Sequence, residues 1–388
     1  MINVLLLAFC QGLLLTNAVT LVAVGALAGY ALAENKAFAT LPATVYVLGA
    51  AVSTFPASLL MKRIGRRNGF FVGAAFGLAG SLLATAAVAT ASFPLLCAGT
   101  FLFGIYNAFG QYYRFAAADV ASPAERPRAI SYVMAGGLIG GIVGPEVTKA
   151  TRDLAQPTFV ASYGSLFFFA LVAMATIAFL RIPRAHGEAS AAQARPLAVI
   201  ARQPTFVVAV AVAALGYGTM NLLMTATPLA MGFCGHPYAA AATVITGHVV
   251  AMFAPSFFTG TLIQRFGVLN VILAGVTAMF ACVAIALAGQ QIPNFIVALV
   301  LLGLGWNFMY IGGTTLLTET YTPTEKAKAQ GFNEVVVFSV QGMSALFSGV
   351  LVNTRGWDVL NYTALPLIVA AGAAVLWLGA RRRSASPA

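Results

Sequence analysis

Asp119-Val-Ala-Ser-Pro123-Ala-Glu125-Arg126-Pro-Arg128-Ala129 recurs about 200 residues later as Glu319-Thr-Tyr-Thr-Pro323-Thr-Glu325-Lys326-Ala-Lys328-Ala329. An acid, a proline, a glutamate and two basic residues hold their places, so the chain carries two copies of one unit. Two shorter matches share that offset. Phe103-Gly104-Ile-Tyr-Asn107 resembles Leu304-Gly305-Trp-Asn307, and Lys62-Arg63-Ile-Gly65 resembles Gln264-Arg265-Phe-Gly267.

The units are built for a bilayer. Of 388 residues, 60% are apolar and 8% charged, and the mean hydropathy is +0.90. A soluble domain typically carries about 25% charged residues. Twelve apolar runs can cross a hydrocarbon core of about 30 Å, which takes roughly 20 helical residues. They are placed at 4–29, 41–61, 69–91, 94–118, 129–149, 158–181, 205–232, 238–263, 268–289, 293–318, 329–352 and 359–380. The expected organisation is an all-α membrane protein of two six-helix halves, 1–182 and 204–388, joined by a polar linker at 183–203 that includes His186. A parallel repeat of six spans suits a transporter that rocks about a central site.

Net charge is +11, but its distribution argues against nucleic acid as the partner. In the twelve-span arrangement Lys62, Arg63, Arg66, Arg67, Arg126, Arg128, Arg181, Arg184, Arg195, Arg202, Arg265, Lys326, Lys328 and Arg381 to Arg383 share one side, and only Lys36, Lys149, Arg152 and Arg355 face the other. The positive-inside rule makes the first side cytoplasmic and puts both termini there. The expected location is a bacterial cytoplasmic membrane, the expected state a monomer in lipid. The first span is read as retained, since it lacks a basic leader and outruns a signal peptide's apolar core. Tyr30, Trp357 and Tyr362 suit an interfacial aromatic belt. Cys10, Cys97, Cys234 and Cys282 have no framework spacing. Neither a Walker loop nor a convincing nucleophile or paired-carboxylate constellation is present, so no enzyme activity and no tightly bound cofactor are expected.

The whole chain resembles the major facilitator superfamily. In that superfamily the loop after the second span usually reads Gly-x-x-x-Asp-Arg-x-Gly-Arg-Arg. Here it reads Ser58-Leu-Leu-Met-Lys62-Arg63-Ile-Gly65-Arg66-Arg67, with Ser58 and Lys62 replacing the glycine and the aspartate, and Gln264 standing where the second copy would carry its acid. Gly136, Gly137, Gly140, Gly141 and Gly144, followed by Pro145, give the fifth span a small-residue face and a bend.

Two pairs in the second half are candidates for chemistry: Met220-x-x-x-Met224 in span seven and His248-x-x-x-Met252 in span eight. Each four-residue step sets two side chains on one helix face near mid-depth. Thioether and imidazole donors suit Cu(I), whereas Met is also a common filler of apolar helices. The residues alone leave a metal site and packing both open. This double pattern in consecutive spans resembles the CcoA family of bacterial copper importers. That resemblance implies that Met220, Met224, His248 and Met252 handle copper, that copper is the transported substrate, and that it supplies haem-copper oxidase assembly, with copper chaperones as possible partners. Met231, Cys234 and His236 at the outer end of span seven suit collection of a metal ion, and a coincidence at a loop edge accounts for them equally.

Arg114 lies about one turn from the cytoplasmic end of span four, and Glu334 at a similar depth in span eleven. They could pair as a state-dependent gate. Alternatively, Arg114 snorkels to the interface and Glu334 is hydrated. Asp119 and Glu319 cap spans four and ten beside basic loops and suit structural or gating ion pairs. Asn17, Asn107, Asn221, Asn307, Asn333 and Gln341 read as cavity-facing groups or interhelical bonds.

Copper import is the leading expectation. One alternative is a carrier or exporter of a small organic solute or drug, with the methionines as pliable lining. The other is a non-transporting copper chaperone or sensor using the same ligands.

Overall fold

The computed structural model describes all residues except 36, 37, 39, 40, 183–193 and 385–388. The described residues form α1 (Ile2–Leu32), α2 (Leu41–Ile64), α3 (Arg66–Ala89), α4 (Phe93–Gly110), α5 (Tyr113–Val120), a 3-10 turn at Pro123–Glu125, α6 (Arg126–Thr151), α7 (Val160–Ala178), α8 (Leu197–Ala201), α9 (Pro204–Phe233), α10 (Tyr238–Phe253), α11 (Ser256–Phe266), α12 (Val268–Ala288), α13 (Ile292–Leu317) and α14 (Lys326–Ser384). The first part of the expected linker, with Arg184 and His186, lies outside the described residues, and α8 forms within its remainder.

Among the described residues ten helices, counting α4 with α5, are long and apolar enough to cross a membrane, and the bent pair α10 and α11 makes an eleventh span. The 59 residues of α14 are two helices that meet at a kink at Gly356, where φ is +83°. At 1.5 Å per residue they would reach about 90 Å, some three times a hydrocarbon core. Two spans lie there, which completes twelve.

Two expected spans are not straight. Span four breaks at Gln111 and Tyr112, between α4 and α5. Span eight bends by 42° between α10 and α11, because Pro255 has no N–H to continue the helix ladder. At the bend the Met252 carbonyl accepts the Asn307 side-chain amide at 2.6 Å.

Packing divides the chain into two compact units. The first holds α1 to α5, α6 beyond Ser131, α7 and Gln330–Val335, while the second holds Ser122–Ser131, α8 to α13 and the rest of α14. In the first, α4 packs on α2 and α3, and α7 on α1 and α3. The glycine face of α6 meets α1: a Cβ on Gly140 would lie 2.6 Å from the Gly12 carbonyl oxygen, so the two backbones pack where only hydrogen fits. In the second unit α13 is central, packed on α9, α10 and α12.

Trp357 departs from the expected aromatic belt. It is buried and donates its indole N–H to the Ala286 carbonyl at 3.1 Å, at the end of α12. Tyr30 and Tyr362 are exposed, as belt residues would be. The four cysteines are free thiols.

Candidate functional site

In the first unit, the break after α4 and the short α5 aim a cluster of polar side chains inward. Arg114 donates one nitrogen to the Gln111 carbonyl at 2.7 Å, a group released by the break, and the other to Glu334 Oε1 at 2.5 Å. Asn333 donates to the same oxygen at 2.7 Å. The guanidinium lies over the Phe115 ring, 4.5 Å from its centroid. The pair is therefore a buried ion pair: Arg114 does not reach outward as a snorkelling side chain would, and Glu334 is closed off from solvent. Beside it, Arg66 donates to Asp119 at 3.2 Å and to the Gln330 side chain at 2.5 Å. Lys62, standing at the acidic position of the loop motif, thus leaves Asp119 as the carboxylate that Arg66 meets. In the same unit the buried Asn17 amide has neither polar atom hydrogen-bonded among the described residues.

In the second unit, Glu319 pairs with Arg382 at 2.7 Å on an exposed surface. Glu325, by contrast, is 1% exposed and is gripped by Arg195 through two contacts of 2.7 and 2.8 Å. Its counterpart Glu125 is 52% exposed and pairs only with Arg128 among the described ion pairs. The two copies of one motif therefore sit in different surroundings, because the chain just before α8 reaches only the second.

Met220, His248 and Met252 are buried and Met224 is partly exposed. His248 sits where α10 crosses α13. A Cβ on Gly303 would lie 2.7 Å from the His248 carbonyl oxygen and 2.9 Å from the Met252 nitrogen, so glycine alone allows this approach. The His248 Nδ1 donates to the Leu299 carbonyl at 2.7 Å. A carbonyl only accepts, so the proton is on Nδ1 and Nε2 carries a lone pair. Among the described residues Nε2 has no partner, and no group of three or more His, Cys, Asp or Glu side chains gathers as metal ligands would.

In the outer trio, Met231 is buried while Cys234 and His236 both bond to Gln290, the thiol to its side chain at 3.0 Å and His236 Nε2 to its carbonyl at 2.7 Å. These contacts tie the end of α9 to the turn between α12 and α13. Asn221 bonds to the Gln341 carbonyl at 2.9 Å, and Asn307 bridges Met252, Ser256 and Thr259.

One constellation is absent from the sequence patterning. Trp306 and Tyr310 stack at 4.9 Å and 18°, Tyr217 meets both edge-on at 5.4 and 5.3 Å, and Phe253 meets Trp306 at 5.7 Å. Three helices, α9, α10 and α13, contribute to it. The signal available in the sequence is the four-residue step from Trp306 to Tyr310 in a glycine-rich span.

The sequence profile described as Major Facilitator Superfamily matches residues 4–254 and 210–388. The chain belongs to the major facilitator superfamily. It is 39% identical over 369 residues to the riboflavin transporter RfnT of Brucella anthropi, covering 94% of this chain and 93% of that protein. The uncharacterized MFS-type transporter YdeG of Bacillus subtilis is 31% identical over 89% of this chain and 84% of its own. Among solved structures, the E. coli fucose:proton symporter FucP superposes with a TM-score of 0.76 at 17% identity, covering 96% of this chain and 98% of that one. A bacterial homologue of the iron transporter ferroportin gives 0.76 at 14%, covering 98% and 100%. These two show the fold. The protein is thus a multi-pass membrane transporter of this superfamily, and the narrower likeness to CcoA copper importers gains no support from the relatives found.

Proposed function

We propose that the protein carries riboflavin, or a flavin of the same ring chemistry, across the bacterial cytoplasmic membrane by alternating access between the halves 1–182 and 204–388. The observation that carries this reading is the relation to RfnT, which runs along 94% of the chain. The interior chemistry agrees with it. Riboflavin is uncharged and has a broad aromatic ring, and the second unit offers an aromatic cluster with neutral groups such as Trp306 Nε1, Thr219 Oγ1 and His248 Nε2 unpaired among the described residues. Pockets for such ligands are mostly apolar and aromatic, with a few polar groups that fix orientation. Copper import is the weaker reading. Uptake of radiolabelled riboflavin into proteoliposomes, run beside uptake of radioactive copper, tests the choice. Riboflavin accumulation above that of protein-free vesicles is expected, and accumulation of copper alone would overturn the reading.

A further inference from the structure

We propose that Trp306, Tyr310, Tyr217 and Phe253 form the subsite for the isoalloxazine ring, with Trp306 Nε1 donating to a ring carbonyl. This rests on the flavin reading above and names where the ring is held.

The chain has three tryptophans. Trp357 is buried and its N–H reaches the Ala286 carbonyl, and Trp377 is 50% exposed and so is not a buried donor. Trp306 is 2% exposed, and its N–H has no acceptor among the described residues. A buried donor left unpaired is costly, so chains rarely keep one without use. Phenylalanine would supply an aromatic, apolar surface without that cost.

The rings around this donor are arranged as a platform. Trp306 and Tyr310 lie nearly parallel, and Tyr217 and Phe253 stand edge-on to the indole at 86° and 74°. Such geometries are favourable in themselves, and Tyr217 is the one ring of the four that is only partly buried. The platform is also held rigidly. Asn307, next to Trp306, is bonded to Met252 and Ser256 at 2.6 Å each, and Gly305 packs so closely that a Cβ there would meet Met279 at 2.7 Å. A planar ring with carbonyl oxygens on one edge complements aromatic faces beside a single N–H.

The test uses the purified full-length protein titrated with riboflavin and, separately, with lumiflavin, which keeps the ring and lacks the ribityl chain. An excited isoalloxazine beside an indole or phenol loses its fluorescence, so ring placement is read directly. Both ligands should bind and be quenched. Trp306→Leu and Tyr310→Leu should each weaken both by about tenfold or more, the scale of an aromatic stacking contact, and reduce the quenching. Trp306→Phe keeps an aromatic ring but loses the N–H and part of the indole surface, and should weaken both ligands several-fold. It serves where the leucine variants fail to fold, as judged by their melting transitions. If wild type binds riboflavin while folded Trp306→Phe and Tyr310→Leu keep wild-type affinity and quenching, the subsite is overturned and the carrier reading stands. If wild type neither binds nor transports riboflavin, both fall.

Discussion

Arg114 and Glu334 meet at 2.5 Å with side chains only 2% and 0% exposed, an ion pair sealed from water within one packing unit. Removing one partner of such a pair leaves a buried charge uncompensated, which typically costs about 3–5 kcal/mol, whereas replacing both by apolar groups can be close to neutral. Arg114→Leu and Glu334→Leu should therefore each lower the thermal unfolding temperature sharply, and the double variant should lie well above the sum of the two losses. Additive losses in that cycle would mean that the pair does not act as a unit.

Glu325 lies in the loop before α14, outside the spans. Arg195 holds its carboxyl below the usual carboxylate range, with help from the Thr322 and Arg195 backbone N–H groups. A depressed folded value means that the contact stabilises fully above the unfolded value, about 4.3, and that this contribution is lost as pH falls below it. Wild type should unfold at a higher temperature than Glu325→Gln near pH 7, and the gap should close on acidification below about pH 4. A gap independent of pH would contradict the assignment.

The twelve spans and the duplication are legible in the sequence because hydropathy and motif order are local properties. Pro255 announces the bend in span eight, but no residue type announces the break at Gln111 and Tyr112. The i, i+4 pairs place His248 and Met252 on one face, yet which helix that face meets depends on Gly303 and Leu299, about 50 residues away. Glu125 and Glu325 occupy the same motif position and differ in burial, since Arg195 reaches one of them. The aromatic cluster is least legible, as it assembles from three helices whose approach is set by packing.

Gly303 gives a direct test of that packing. A Cβ there would meet backbone atoms of α10 at 2.7 and 2.9 Å, and backbone cannot rotate away. Gly303→Ala should destabilise by about 1–3 kcal/mol, as overpacking does, and displace His248. Gly349→Ala is the control, since nothing lies within 4 Å of its Cβ position. It should be neutral or stabilising by up to ~1 kcal/mol, from helix propensity alone. Equal effects in chemical denaturation would argue against the tight crossing.

The Met and His pairs separate the two substrate readings. Leucine keeps methionine's volume and apolar character and loses only the sulfur, a change that typically costs less than about 1.5 kcal/mol. If the protein carries a flavin, the Met220→Leu, Met224→Leu double variant should retain riboflavin uptake within about twofold of wild type, since no thioether ligation is needed. His248→Ala removes the Nε2 acceptor and the Nδ1 bond that spans α10 and α13, so its uptake should fall further than that of the double variant. Copper accumulation in the same proteoliposomes should match protein-free vesicles for all three proteins. Copper uptake by wild type that vanishes in the methionine double variant would instead assign these residues to a Cu(I) path, because sulfur is all that the leucines remove.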